Sequence, residues 1–207
     1  QKDYFSEMAD RFYQNQRDIF GDVTNYYAVD PFHEGGRTGD MDVSLVYETV
    51  QQKMIENDED AIWLIQQWSG SMTDAKLSGL KVKDQALVLD LFSEINPSYS
   101  VMERNDIPWV WCMLHNFGGR MGIDGNPDDV SQNIPDDHQS TEYMQGIGMT
   151  PEAIENSPMM YELLWDMTWT KDPIDYREWV QDYAERIYGG TNEDIQRVWE
   201  IMLETGY

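Results

Sequence analysis

Cysteine is nearly absent from this chain. Cys112 is the only one in 207 residues, which excludes an internal disulfide. No run of eighteen apolar residues occurs, so no membrane-spanning helix is expected. The first twenty residues, QKDYFSEMADRFYQNQRDIF, lack the apolar stretch of a secretory leader, so any export address is expected to have been removed. Basic residues are scarce as well: Lys and Arg total 14 against 39 Asp and Glu, a net charge of −25. Such a field repels phosphate backbones and anionic membrane surfaces, which disfavours nucleic-acid and membrane partners and suits a neutral or cationic ligand. No Asn-x-Ser/Thr acceptor with a permitted middle residue is present, so nothing points to a eukaryotic secretory route. Repeats of 20 to 50 residues and low-complexity segments are also missing.

Apolar and aromatic residues are plentiful. Hydrophobic residues make up 41% and aromatics 13%, with 8 tryptophans and 12 tyrosines, a globular composition with core to spare. Aromatic rings usually fill cores, but they also stack on the apolar faces of sugars and bases. The negative field disfavours the bases and leaves sugars.

Periodicity divides the chain into alternating elements. Residues 3–20 carry Tyr4, Phe5, Met8, Phe12 and Ile19 at mostly helical spacing, closed by Gly21. Strands are expected at 24–30, 61–67, 86–92, 107–114 and 143–149, mostly as the near-continuous apolar runs of a parallel sheet covered on both faces. A helix is expected over 42–58, with Leu45, Val46, Thr49, Val50 and Met54 on one stripe, and a short one within 72–80. Residues 115–142, rich in Gly, Asp, Asn and Pro, read as a long loop at an active-site mouth. From about residue 158 three consecutive helices follow, with Asp172-Pro173 and Thr191 as starts and Gly189 and Gly206 as stops. Five strand-helix units fit part of a (β/α)₈ barrel or an open doubly wound sheet. No G-x-G-x-x-G follows the first strand, and no phosphate loop supports a nucleotide-binding domain.

In parallel α/β folds functional residues gather past the carboxyl ends of strands. Those positions hold Asp30, His33 and Glu34 after the first strand, and Gln66, Gln67 and Trp68 after the second. Asp90 and Glu94 follow the third, His115 and Asn116 the fourth, and Glu152 the fifth. Two carboxylates facing one another across a barrel mouth suit glycoside hydrolysis: one acid protonates the leaving oxygen while a carboxylate about 5 Å away attacks the anomeric carbon. Trp68 and Trp111 would then form a sugar-facing wall, and Glu94 is a rival nucleophile by position. Cys112 with His115 suggests a thiol nucleophile, although a cysteine inside WVWCML reads as buried and inert. DGNPDD, residues 124–129, begins like a calcium loop, but it lacks glycine at its sixth position and has Pro135 where the bidentate Glu belongs. No histidine pair has ligand spacing, so neither metal nor cofactor is implied.

The strings DPFHEGG, AIWLIQQW, LVLDLFSE, PWVWCMLHNFGGRMG and GIGMTPEAIENSPMMYELLWDMTW occur in that order along nearly the whole chain. Together they resemble the α-N-acetylglucosaminidases of glycoside hydrolase family 89. The resemblance implies a TIM-barrel type (β/α)₈ catalytic domain whose second half occupies residues 1–157. An all-α segment beginning a carboxyl-terminal helical domain then occupies 158–207. It implies a retaining exo-hydrolase for terminal α-linked N-acetylglucosamine, with no cofactor. Glu34, in F-H-E where the family has F-N-E, matches the acid/base, and Glu152, in P-E-A-I where the family has P-E-G-I, matches the nucleophile. Trp68 matches a pocket tryptophan; Trp111, His115 and Asn116 fall in a pocket-lining motif. His33 stands where the family has Asn, and Ala153 where it has Gly. The resemblance covers only the second barrel half, so a partner is expected: the remainder of the same enzyme or a complementary chain. A non-catalytic carbohydrate-binding or structural fragment is the alternative. The acidic composition without glycosylation acceptors leans toward a secreted or periplasmic bacterial enzyme, with a lysosomal one as the alternative.

Overall fold

A computed structural model describes residues 2–32, 37–116, 123–152, 154 and 156–207. Five strands, β1 (Tyr26–Ala28), β2 (Ile62–Gln67), β3 (Ala86–Asp90), β4 (Trp109–Met113) and β5 (Met144–Met149), form one sheet in chain order. The sheet is parallel; β1 pairs with β2 in the register Tyr26 to Ile62, Tyr27 to Trp63 and Ala28 to Leu64. Its strands alternate more than their apolar runs suggest. Along β2, Trp63, Ile65 and Gln67 are buried, while Ile62 and Leu64 are half-buried and Gln66 is exposed. Side chains on a strand point to opposite faces in turn, so the two faces are covered unequally. Among the described residues no helix is long and apolar enough to cross a membrane.

The contacts divide the chain into two units, residues 1–89 with 98–109, and residues 90–97 with 110–207. In the first, α1 (Lys2–Phe20) and α2 (Val43–Asn57) precede β1 and β2 respectively. Asp42 caps α2 by accepting from the amides of Ser44 and Leu45. The buried stripe of α2 is Tyr47, Val50, Gln51 and Met54, rotated from the expected one; Leu45 stays exposed. The rotation follows from Tyr47, whose ring meets Trp63 of β2 at 5.0 Å and buries more apolar area than Leu45 would. Gln51 is buried because both ends of its amide are used. Its Nε2 donates to the Val82 carbonyl at 2.8 Å, and its Oε1 accepts from the amides of Lys81 and Val82 at 2.7 and 3.1 Å. Two short helices, α3 (Asp74–Leu77) and α4 (Ser100–Glu103), complete this unit, with Asp74 accepting both forks of the Arg104 guanidinium at 2.8 Å.

The second unit departs from the expected long loop. Residues Pro127–Ser140 form a helix, α5. Its acidic and amide-rich composition resembles a loop, yet each residue suits a helix start. Asn126 caps it by accepting from the Asp129 amide, Pro127 occupies the first turn where no N–H is needed, and Asp128 and Asp129 sit at the positive end of the dipole. Val130 and Ile134, one turn apart, provide its buried face. Then come α6 (Pro158–Met167), α7 (Tyr176–Tyr188) and α8 (Glu193–Thr205). The start of α7 is capped by Asp175, not by Asp172, and that of α8 by Asn192, not by Thr191. Gly189 ends α7 at φ 81°, a conformation that glycine reaches without a Cβ penalty.

Gly79 is the tightest point of the first unit. A Cβ there would lie 2.1 Å from the Ser44 carbonyl oxygen and 2.8 Å from Tyr47 Cβ, neither of which can swing aside. Gly79→Ala is therefore expected to destabilise by about 2–3 kcal/mol through overpacking, measured as a lower urea midpoint. An unchanged midpoint would show that α2 does not approach this closely.

Candidate active site

The residues past the strand ends fall into both units. In the first, Asp30 Oδ1 accepts from the Gln66 amide at 3.3 Å and Trp63 Nε1 donates to the Val29 carbonyl at 2.9 Å, joining the loops after β1 and β2. Gln67 is buried because its Oε1 accepts from the Met72 amide at 2.6 Å. That bond closes a turn through Ser69 (φ 48°) and Gly70 (φ 72°), which leaves Trp68 half-buried at the strand end. Lys76 lies beneath, buried, donating to the Ser71 carbonyl at 2.6 Å, with its ammonium 5.7 Å from the centre of the Phe32 ring. Burial lowers its pKa, and the Asp30 carboxylate works the other way. The sequence carries no signal that marks Lys76. His33 and Glu34 lie outside the described residues.

In the second unit Glu152 is exposed, three residues beyond β5. The loop that carries it is tied at both ends. Thr150 donates from its amide to the Met113 carbonyl at 2.9 Å and from Oγ1 to the Leu91 carbonyl at 2.8 Å. At the far end, Asn156 Oδ1 accepts from Asn116 Nδ2 at 3.2 Å and from the Tyr161 hydroxyl at 3.1 Å. Ser157 then caps α6 and meets the Tyr207 hydroxyl at 2.7 Å. Thr150, Asn156 and Tyr161 escape a reading of the sequence because their partners are brought together only by the fold, although Ser157-Pro158 is a recognisable helix start.

Several residues expected to line a pocket do other work. Trp111 has no exposed surface, and its Nε1 donates to Asp137 of α5 at 3.1 Å. It shares the helix-facing side of β4 with Trp109, because alternation puts residues 109, 111 and 113 on one face; it is not part of a sugar-facing wall. His115 and Asn116 are also buried, at 6% and 0% exposure, with the His115 ring 5.5 Å from that of Tyr161. Asn116 reaches the far end of the Glu152 loop, and His115 borders a small cavity. Burial lowers the His115 pKa, with Asp124 and Asn156 opposing it.

The alternative nucleophiles fail on access. Cys112 is buried, and burial beside Asp90 and Glu94 pushes its thiol up to about 12, far from a usable thiolate. Glu94 and Asp90 are buried at 3% and 1% exposure. Glu94 lines a small cavity of about 60 Å³ with Phe92, Met113, His115, Asp124 and Met160. The calcium-like string is the entry to α5. Among the described residues no group of His, Cys, Asp and Glu is arranged to hold a metal.

A parallel strand-helix chain with acidic residues past its strand ends is the architecture of a barrel-type catalytic domain. The family model described as "Alpha-N-acetylglucosaminidase (NAGLU) tim-barrel domain" matches residues 1–171, and the chain belongs to that family. It is similar to human alpha-N-acetylglucosaminidase, 34% identical over 175 residues that span 76% of this chain and 23% of that protein. It is also similar to a family 89 glycoside hydrolase from Clostridium perfringens. The structure of that enzyme with PUGNAc is 56% identical over 99% of this chain and 23% of its own, with a TM-score of 0.96. A second structure, with its substrate GlcNAc-alpha-1,4-galactose, is 55% identical with a TM-score of 0.95. The chain thus spans about a quarter of the length of these relatives.

Glu94 makes this region sensitive to pH. Burial raises its carboxyl to about 7 from the ordinary 4.5, against the lowering effect of the His115 and Leu114 amides. Between those values the folded state holds a proton that the unfolded chain releases. The group's contribution is complete below pH 4.5 and is lost as pH rises to 7, an amplitude on the order of 3 kcal/mol. The urea midpoint of the parent should therefore fall relative to that of Glu94→Gln between pH 4.5 and 7.5. A constant gap across that range would refute the shift.

Proposed function

We propose that this chain supplies the catalytic carboxylates of a retaining exo-glycosidase that releases terminal α-linked N-acetylglucosamine from glycans. Glu34 acts as acid/base and Glu152 as nucleophile. The observation that carries this reading is the mounting of Glu152: an exposed carboxyl just past β5, on a short loop tied by Thr150 at one end and Asn156 at the other. A nucleophile must be held near its reacting position, and ties at Thr150 and Asn156 restrict the segment that carries Glu152. Family membership supports the substrate class. The Clostridium perfringens enzyme bound to GlcNAc-alpha-1,4-galactose carries two glutamate-to-glutamine substitutions, as far apart in its sequence as Glu34 and Glu152 are here.

In the proposed reaction the Glu34 carboxylic acid protonates the glycosidic oxygen as the Glu152 carboxylate attacks the anomeric carbon. The aglycone leaves, and the sugar remains as an ester of Glu152. The Glu34 carboxylate then takes a proton from water, whose oxygen attacks the same carbon and releases Glu152, with net retention. Trp68, half-buried at the end of β2, offers a ring face to the sugar. The remainder of the enzyme completes the site. A second reading, a fragment that binds sugar without turning it over, is favoured by the quarter-length span of the relatives.

In the complete enzyme, Glu152→Gln is expected to lower hydrolysis of a nitrophenyl α-N-acetylglucosaminide by more than about 10³-fold with an unchanged melting temperature. Undiminished turnover would remove Glu152 from the chemistry. Glu34→Gln should slow natural glycosides far more than aryl glycosides, whose leaving groups need little protonation. Proton NMR of the first product should show the α-anomer; the β-anomer first would refute double displacement. Calorimetric titration of this chain alone with N-acetylglucosamine, beside the aryl-glycoside assay, separates binding from catalysis.

A further inference from the structure

Glu94 is a buried carboxyl that the proposed reaction does not use. The turn that carries it is fastened to its own unit: the Ser93 amide donates to the Cys112 carbonyl at 3.0 Å, and Ser93 Oγ donates to the Asp90 carbonyl at 2.9 Å. From there Glu94 Oε1 accepts the His115 amide at 2.7 Å. His115 sits at φ 67°, a left-handed conformation that is unfavourable for a residue with a Cβ and persists only where the surroundings impose it. The acceptor on its amide is such an imposition. Glu94 Oε2 has no hydrogen-bond partner among the described residues. A buried carboxyl is a cost to folding, so stability alone does not account for it.

The turn at His115 aims the next side chain. Asn116, fully buried, donates from Nδ2 to Asn156 Oδ1, and so reaches the far end of the Glu152 loop. The near end is fastened by Thr150 to the carbonyls of Leu91 and Met113. Both ends of the loop are thus fixed to two segments, 91–94 and 113–116, and the Glu94 side chain joins one of those segments to the other. The groups acting on it include Asp129 of α5, Tyr161 of α6, Cys112 of β4, and Asp124 and His115 around the cavity. None of these is a cation that would draw Glu94 away from the His115 amide.

We propose that Glu94 is a positioning residue for Glu152, acting through the His115 amide and the Asn116–Asn156 hydrogen bond to hold the loop that carries the nucleophile. This rests on Glu152 being that nucleophile. The carboxyl is needed here as an acceptor at a fixed point, and an amide of the same shape serves the same purpose.

The test uses the complete enzyme and a nitrophenyl α-N-acetylglucosaminide. Glu94→Leu removes the acceptor and should lower kcat by about 100-fold, the cost of displacing a reacting group by about an ångström, with KM within about threefold of the parent. Glu94→Gln keeps the acceptor and should stay within about fivefold of the parent kcat. The proposal is overturned if Glu94→Leu keeps the parent kcat, if its loss lies wholly in KM, or if Glu94→Gln falls as far. Should Glu94→Leu fail to fold, Asn156→Ala breaks the other end of the relay and should show the same kcat loss at unchanged KM; a parent kcat there overturns the proposal equally. Glu152→Gln separates the two readings. If it stays active, the nucleophile assignment fails; if it is inactive while Glu94→Leu is not slowed, only the positioning role fails.

Discussion

Alternation along β4 is the constraint on which the functional end of this chain depends. Residues 109, 111 and 113 turn toward the helices, where Trp109 donates to Glu103 at 2.6 Å and Trp111 donates to Asp137 at 3.1 Å. Cys112 turns the other way, against Gly148 of β5, where even a methyl group would come within 3.1 Å of its sulfur. With the two indoles anchored, the register cannot slip by one residue without putting both rings on the wrong face. The strand therefore always ends with the Met113 carbonyl directed at Thr150 and the His115 amide directed at Glu94. Packing on one side of the strand sets the hydrogen bonding past its end.

Four of the buried polar side chains share one task. Gln51, Gln67, Glu94 and Asn116 are all nearly inaccessible, and each bonds to a loop or strand end outside its own element. Loops past strand ends carry amides and carbonyls with no ladder to join, and unpaired buried groups of that kind are costly. A side chain that supplies a donor or an acceptor at the right height satisfies the loop and fixes its conformation together. The same logic joins Gln67 to the Ser69–Gly70 turn below Trp68, and Asn116 to the loop below Glu152. In both cases the residue facing the proposed sugar is presented by a neighbour that never sees it.

How much of this could be read in advance depended on whether the signal was local. The five strands, the long first helix and the three final helices are legible from apolar periodicity, since burial of one face demands it. Helix α5 was not, because Asn, Asp and Pro favour loops in general and start helices in one arrangement only, the one found at 126–129. Cap positions slid from Asp172 to Asp175 and from Thr191 to Asn192 for a related reason: each stretch offers more than one competent oxygen, and tertiary packing selects among them. Motifs pointed to the stretch containing Trp111, His115 and Asn116 but could not show that all three side chains are buried. Trp111 shows this most clearly, since its direction depends on the parity of a strand position and not on the motif around it.

Glu94 sets stability against function. Its carboxyl sits in apolar surroundings that hold its pKa near 7, and Oε2 gains no bond among the described residues in return. A glutamine at this position would accept the same amide without the desolvation of a charge, so a protein shaped for stability alone has no reason to keep an acid there. Two features make the acid tolerable. Below neutral pH it is largely protonated, which removes most of the burial cost, and the left-handed turn at His115 fixes the donor so that the acceptor's geometry does not depend on its charge. Around the proposed nucleophile the chain thus spends stability on a fixed arrangement, while the carboxyl of Glu152 stays exposed.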